Sequence, residues 1–198
     1  MGCIALSVIV MIYHAEKRNG AAPEVKVSLT ADRVTAALNV AVTNGWPLIL
    51  HIEFASLSNT EFATTLQALN TFLTTYAPHP IVLIHMGQLE SNDVETLLSE
   101  HRNVFFMTSH SNPVSIANSN QPWTNMFSGD SLAPDWERLL LAYPERFIFA
   151  LDNVWPEHWD ANYYARQIAA WEKALTYIPP DVVKAFAHGN AERLWGIK

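Results

Sequence analysis

Residues 47–53 read Pro47-Leu48-Ile49-Leu50-His51-Ile52-Glu53, an apolar run that closes on an imidazole and a carboxylate two residues apart. A run this short, opened by proline, is a strand covered on both faces, and its period of two sends His51 and Glu53 to the same side. The same design recurs along the chain. Pro80-Ile81-Val82-Leu83-Ile84-His85 ends in a histidine, Val104-Phe105-Phe106-Met107-Thr108 runs into Ser109-His110, and Arg146-Phe147-Ile148-Phe149-Ala150-Leu151-Asp152 ends in an aspartate. The amino-terminal run from Ile4 to Tyr13, with β-branched Val8, Ile9, Val10 and Ile12, reads as another buried strand and leads to His14.

The segments between these strands carry helical spacing. Val34, Ala37, Leu38, Ala41 and Val42 mark a helix over 31–44, stopped by Asn44-Gly45. Ser58 and Glu61 have capping-box spacing and open a helix to about Tyr76, with Phe62, Leu66, Leu69 and Phe72 on one stripe. Further helices are predicted over 91–101, 134–142, 163–175 and 181–195, the last interrupted at Gly189. Short apolar strands alternating with amphipathic helices make βαβ units, so the class is α/β with a parallel sheet, and one domain over 1–198 is the expectation. In such folds the carboxyl ends of the strands share one opening. Imidazoles and carboxylates gathered there make a metal site or an acid/base site. Any one such histidine can equally be a solvated loop residue; the recurrence at successive strand ends is what favours a site.

Composition narrows the function. With 49% hydrophobic and 16% charged residues in 198, the chain has neither the polarity of a disordered protein nor the period of a fibrous one. Twelve Lys+Arg against 19 Asp+Glu give a formal charge of −7, which leaves no basic surface for nucleic acid or an anionic membrane. The apolar run at the amino terminus falls short of the roughly 20 residues a membrane helix needs and no Lys or Arg precedes it, so neither a transmembrane nor a secretory segment is expected. Gly2-Cys3 is a poor acylation signal because Leu6 stands where Ser or Thr is wanted. A lone cysteine, Cys3, cannot form an internal disulfide, which fits a cytoplasmic protein. Phosphate-cradling glycine loops, a Gly-x-Ser-x-Gly elbow and Cys-His nucleophile pairs are absent.

Four segments in order, Pro47 to His51, Ile81 to Gly87, Pro144 to Asp152 and Gly189-Asn190-Ala191-Glu192-Arg193-Leu194-Trp195-Gly196-Ile197, resemble the later part of the amidohydrolase superfamily. The likeness is to its branch of TIM-barrel metal-dependent hydrolases that includes decarboxylases and lactonases. The resemblance implies a partial or modified TIM-type (β/α) barrel with about five parallel βα units, where a complete barrel has eight and about 250 residues. It implies a divalent cation, zinc first, with manganese or iron as the other candidates. His51 takes the place of a metal-ligand histidine, and His85 that of a histidine that binds a second metal or orients substrate. Asp152 takes the place of the aspartate that touches the metal and accepts the proton of its water. His14, Glu16 and Lys17 fall near a position where some members place a bridging lysine or another ligand. The implied reaction is hydrolysis, or a related lyase reaction, of a carbonyl-type small molecule through water activated by the cation.

One departure is plain: the family's first strand carries His-x-His, and no His-x-His occurs here. The first three barrel strands are therefore expected to be missing, leaving sheet edges exposed and favouring a homodimer through them. The competing reading is a non-catalytic barrel remnant that serves as a binding or assembly module. Around the core set, Glu53 is a ligand's partner or a solvated carboxylate, His110 belongs to the opening, and 110–130 is a long polar lid over the strand ends. Trp155 and His158 are expected to wall the substrate site, whereas Trp159 is expected to pack its loop on the next helix. Trp46, Trp136, Trp171 and Trp195 are assigned to the core, His79 and His101 to solvent, and His188 to a helix end near its carbonyl dipole.

Overall fold

The computed structural model describes residues 7–17, 20 and 22–197. Gly2, Cys3 and positions 4–6 of the expected first strand lie outside the described residues. Within them the sheet has the order β2-β1-β3-β4-β5-β8, built from β1 (Val8–His14), β2 (Val25–Lys26), β3 (Leu48–Ile52), β4 (Ile81–Leu83), β5 (Val104–Met107) and β8 (Phe147–Ile148). All neighbours are parallel except β2, which pairs antiparallel with β1 at Tyr13 and His14 alone. A small hairpin, β6 (Phe127–Ser128) with β7 (Ser131–Leu132), stands apart.

Eight α-helices are described: α1 (Asp32–Asn44), α2 (Asn59–Thr75), α3 (Ser91–Glu100), α4 (Pro113–Ala117), α5 (Pro134–Ala142), α6 (Ala161–Ala174), α7 (Pro180–Lys184) and α8 (Asn190–Trp195). Their ends follow local chemistry. Ser58 and Glu61 exchange both hydrogen bonds of a capping box at the start of α2. Gly45 closes α1 in the left-handed conformation, its N–H reaching Ala41 and Val42 carbonyls. The interruption expected at Gly189 is a π turn, Ala185–Gly189, that joins α7 to α8 without a break in direction.

Alternation along the strands sorts the core. Leu48, Leu50, Ile52, Ile81, Leu83, Val104 and Phe106 face the helices in the larger apolar cluster. Ile49, Val82, Phe105 and Ile148 face the other way and are covered by Ala191, Leu194 and Trp195 of α8. The Asn190-to-Arg193 segment also fastens β8. Buried Asn190 Nδ2 donates to the carbonyls of Pro144 (2.8 Å) and Phe147 (2.7 Å), and Arg193 donates to Glu145 O at 2.8 Å. Arg146 donates from Nε to Val104 O at 2.7 Å and from Nη2 to His101 O at 2.6 Å, and both guanidinium groups lie over Phe105. These segments therefore lock the last strand to its neighbour.

Several expectations are corrected here. β1 is not covered on both faces: Ile9 is 63% and Met11 40% exposed, because the layer formed by α8 packs on β3, β4, β5 and β8. The strands are shorter than their apolar runs, since His85 and Asp152 lie in the connections that follow β4 and β8. The 110–130 segment is not structureless; it holds α4 and part of the hairpin, with Met126 and Phe127 anchored in the core. Trp159 is 71% exposed rather than packed against the next helix. His79 and His101 are not solvated: His79 is half-buried, and His101 is buried with its Nε2 2.8 Å from Asn70 Oδ1. His188 lies within the continuous π turn and pairs with Glu192. Trp46 and Trp195 are half-buried, while Trp136 and Trp171 are core as expected.

Candidate metal centre

A cleft of about 710 Å³ opens at the carboxyl ends of the parallel strands. His14, His51, Glu53, His85, His110, Asp152, Trp155 and His158 all line it. His14 is the last residue of β1, His51 lies near the end of β3, and Glu53 follows that strand directly. His85 is delivered differently. The chain leaves β4 through a left-handed turn, with His85 and Met86 at φ 55°, Gly87 at 66° and Gln88 at 55°. Three non-glycine residues in that region cost roughly 1–2 kcal/mol each, which the complete burial of Met86 and near-complete burial of His85 and Gln88 sustains.

Five imidazoles form a continuous line across the cleft. Ring centroids are 5.3 Å apart for His14 and His51, 4.9 Å for His51 and His85, 5.1 Å for His85 and His110, and 5.5 Å for His110 and His158. Their ligand atoms fall into two groups, His14 with His51 and Glu53, and His85 with His110 and Asp152; within each, the atoms lie within 4.8 Å of one another. Imidazole and carboxylate donors without thiolate suit zinc, manganese or iron.

The two groups differ in electrostatics. Glu53 is fully buried; Ala15 N–H (3.0 Å) and Lys17 Nζ (2.8 Å) donate to its Oε2, and His51 Nε2 stands 3.1 Å from Oε1. Burial alone pushes this carboxyl up, but the hydrogen bonds from His51, Lys17 and Ala15 outweigh it and hold the pKa at about 2. Lys17 also donates to Gln121 Oε1 and lies over the Trp123 ring. Asp152 is more open, with its side chain 29% exposed, and its Oδ2 is 3.5 Å from Nε2 of both His85 and His110. Burial holds His85 well below the usual histidine range, with like-sign coupling to His51 and His110 acting in the same direction. Burial also lowers His14 and His158. Nδ1 of His14 and Nδ1 of His85 are buried without a hydrogen-bond partner among the described residues.

Sequence placed Lys17 near the site without assigning it a partner, and gave Trp123 and Tyr163 no role there. Trp123 packs at a tilt against both His85 (4.9 Å) and His110 (4.6 Å), Tyr163 lies nearly parallel to His158 at 5.4 Å, and Lys17 neutralises Glu53. The one available signal for Trp123 is its place in the lid; the others depend on contacts between distant residues. Trp155 is half-buried at the rim, and His158 Nδ1 lies 3.1 Å from Asp152 O.

The model of a family described as amidohydrolase matches residues 14–197. No curated protein matches the chain. Among solved structures, an uncharacterized TIM-barrel protein from Bordetella bronchiseptica is similar at 16% identity and a TM-score of 0.55, over 89% of this chain and 54% of that one. An amidohydrolase from Burkholderia multivorans, solved with bound HEPES, is similar at 15% identity and a TM-score of 0.53, over 86% and 60%. The chain thus spans less than two thirds of either structure. The shared feature is the fold, and the open sheet of five parallel strands is a partial TIM-type barrel.

Proposed function

The chain belongs to the amidohydrolase family, and on that footing we propose that it is a metal-dependent hydrolase, or a related lyase, acting on a carbonyl-type small molecule. The observation that carries this reading is the convergence of five imidazoles and Asp152 on one cleft at the strand ends. The donors present fit a divalent cation: two groups of imidazole plus carboxylate, and two buried ring nitrogens without partners. The residues that would hold it are His14, His51 and Glu53 on one side, and His85, His110 and Asp152 on the other. When bound, such a cation lowers the pKa of water and polarises a carbonyl.

The chain's own groups supply the rest. Glu53 is locked ionised by Lys17 and His51, so it keeps charge in place and passes no proton. Asp152, the more exposed carboxylate, takes a proton from the attacking water and returns it to the leaving group, its Oδ2 standing 3.5 Å from Nε2 of both His85 and His110. Trp155 and His158 make one wall for a cyclic or aromatic substrate, and Trp123 covers the buried imidazoles opposite and keeps bulk water off them.

Zinc-, manganese- and iron-loaded protein offered esters, lactones, amides and carboxylated aromatics tests this. Turnover that chelation abolishes and Asp152→Asn lowers by about 10²–10⁴-fold supports it. Turnover indifferent to both contradicts it.

Two finer readings accompany the proposal. The bare face of β1 at Ile9 and Met11, with its short antiparallel cover, favours pairing with a second copy of the chain, read by sedimentation at micromolar concentration. The net charge of −7 favours a small-molecule substrate over nucleic acid, and the single cysteine favours a cytoplasmic setting.

A further inference from the structure

We infer that Tyr163 sets specificity in the cleft: its hydroxyl is held as a hydrogen-bond acceptor, so the wall it shares with Ser115 and His158 takes a substrate through an O–H or N–H group and refuses an acceptor-only oxygen there. The inference rests on the small-molecule reading of the cleft above and names the kind of group the substrate offers to this wall. All three residues line the cleft, and the Tyr163 ring lies 5.4 Å from that of His158, within 14° of parallel.

The ground is a buried network whose donors and acceptors follow one from another. Asn112 caps α4, and its Oδ1 accepts from the N–H groups of Val114 and Ser115, both at 3.1 Å. Backbone N–H groups only donate, so the amide cannot be reversed and Asn112 Nδ2 is a donor. It reaches Ser115 Oγ at 3.2 Å and Gln167 Oε1 at 3.1 Å. Gln167 therefore presents its oxygen to the network, and Ser115 Oγ, 2.7 Å from that oxygen, gives its proton to it.

The serine proton is then committed, and Ser115 Oγ keeps two lone pairs, one facing Asn112 Nδ2 and the other facing Tyr163. Tyr163 Oη lies 3.3 Å from Ser115 Oγ and is the donor of that pair. A phenol has one proton, so what Tyr163 offers to a further group is a lone pair. An incoming O–H or N–H completes the pattern. An acceptor-only oxygen meets lone pair against lone pair, or has to draw the phenol proton away from Ser115. The same assignment leaves Ser115 with an amide oxygen, not a base, as its proton acceptor, so its hydroxyl is not activated as a nucleophile.

Burial fixes the network in place. Asn112, Ser115 and Gln167 are at most 2% exposed, and Tyr163 is 8% exposed. Tyr163 and Gln167 stand four residues apart on one face of α6, whose start is held by Asp160 Oδ1 accepting from Tyr163 N–H at 2.9 Å. In so dry a place a mismatched polar group is not rescued by water, which is what turns a hydrogen-bond direction into selectivity.

The test titrates the full chain with two matched pairs of probes, benzyl alcohol against benzyl methyl ether and benzamide against N,N-dimethylbenzamide. Each pair keeps the ring and differs in the donor. NMR signals of the Trp123 and Trp155 indole N–H groups, both residues lining the cleft, report binding there, and circular dichroism checks folding. Wild type should bind the donor of at least one pair about 2–10-fold more tightly than its partner, and which pair does so tells O–H from N–H. Tyr163→Phe should bring that ratio close to one. Ser115→Ala, which frees the phenol proton, should strengthen binding of the acceptor-only probe; if that variant fails to fold, Tyr163→Phe decides. A merely structural Tyr163 would on removal weaken all four probes alike and leave the ratio unchanged. Equal binding within both pairs, a ratio that survives Tyr163→Phe, or a cleft that takes up none of the four overturns the inference and leaves metal-dependent turnover where it stands. Turnover indifferent to chelation and to Asp152→Asn overturns the hydrolase reading without altering these ratios.

Discussion

Lys17 and Glu53, 36 residues apart, form a buried ion pair at 2.8 Å that is tied to His51 through the second carboxylate oxygen. Removing one partner strands a charge in a desolvated place, which costs about 3–5 kcal/mol, whereas removing both does not. Lys17→Met is therefore expected to lower unfolding free energy by about 3 kcal/mol, and Lys17→Met with Glu53→Gln by less than the two single changes summed. Urea denaturation of the four proteins reads the coupling; strictly additive losses would show that the pair is not a unit.

Acid should weaken the fold in two stages. His14, His79, His85, His101 and His158 all bind their proton less readily when folded, burial being the first cause in each case. Below the ordinary histidine value of about 6.5 the unfolded chain takes up protons that the folded chain refuses, so stability is complete above that pH and falls as pH drops below it. Glu53 adds a second loss as pH falls from its ordinary 4.5 towards about 2. Denaturation midpoints of metal-free protein between pH 8 and 5 should decline steadily below 6.5; a flat profile would contradict the burial of these rings.

Gly87 is the hinge of the turn that carries His85. At φ +66° a Cβ would meet Leu89 at 3.4 Å and Leu83 at 3.6 Å, and the left-handed conformation would itself cost roughly 1–2 kcal/mol. Gly87→Ala should lower the urea midpoint accordingly and weaken zinc binding through displacement of His85. An unchanged midpoint would mean that the turn can relax.

Asn190 connects the last helix to the last strand by two hydrogen bonds at 2.8 and 2.7 Å. Asn190→Ala leaves the Pro144 and Phe147 carbonyls short of a donor and should cost about 1–3 kcal/mol. Hydrogen exchange on β8 should accelerate in the variant, and unaltered protection would assign the fastening to Arg146 and Arg193.

The strands and helices were readable because the forces that make them are local. The 47–53 run predicts β3 to within a residue or so at either end, and Ser58 with Glu61 predicts the start of α2 through the capping box they form. All eight residues proposed for the site meet in one cleft because the topology brings strand ends together. What escaped the reading is non-local. The left-handed turn at His85 offers one glycine among four residues and no other sign, and it survives on tertiary burial. The partnership of Lys17 with Glu53, the cover of Trp123 on His85 and His110, and the bare face of β1 all depend on which distant elements pack together.

Anomalous scattering at the zinc edge, from crystals of the full chain grown with zinc, tests the proposed metal centre most directly. The expected result is a strong peak within about 2.0–2.2 Å of donor atoms of one or both groups, His14 with His51 and Glu53, and His85 with His110 and Asp152. No peak at either group in well-ordered protein would contradict it.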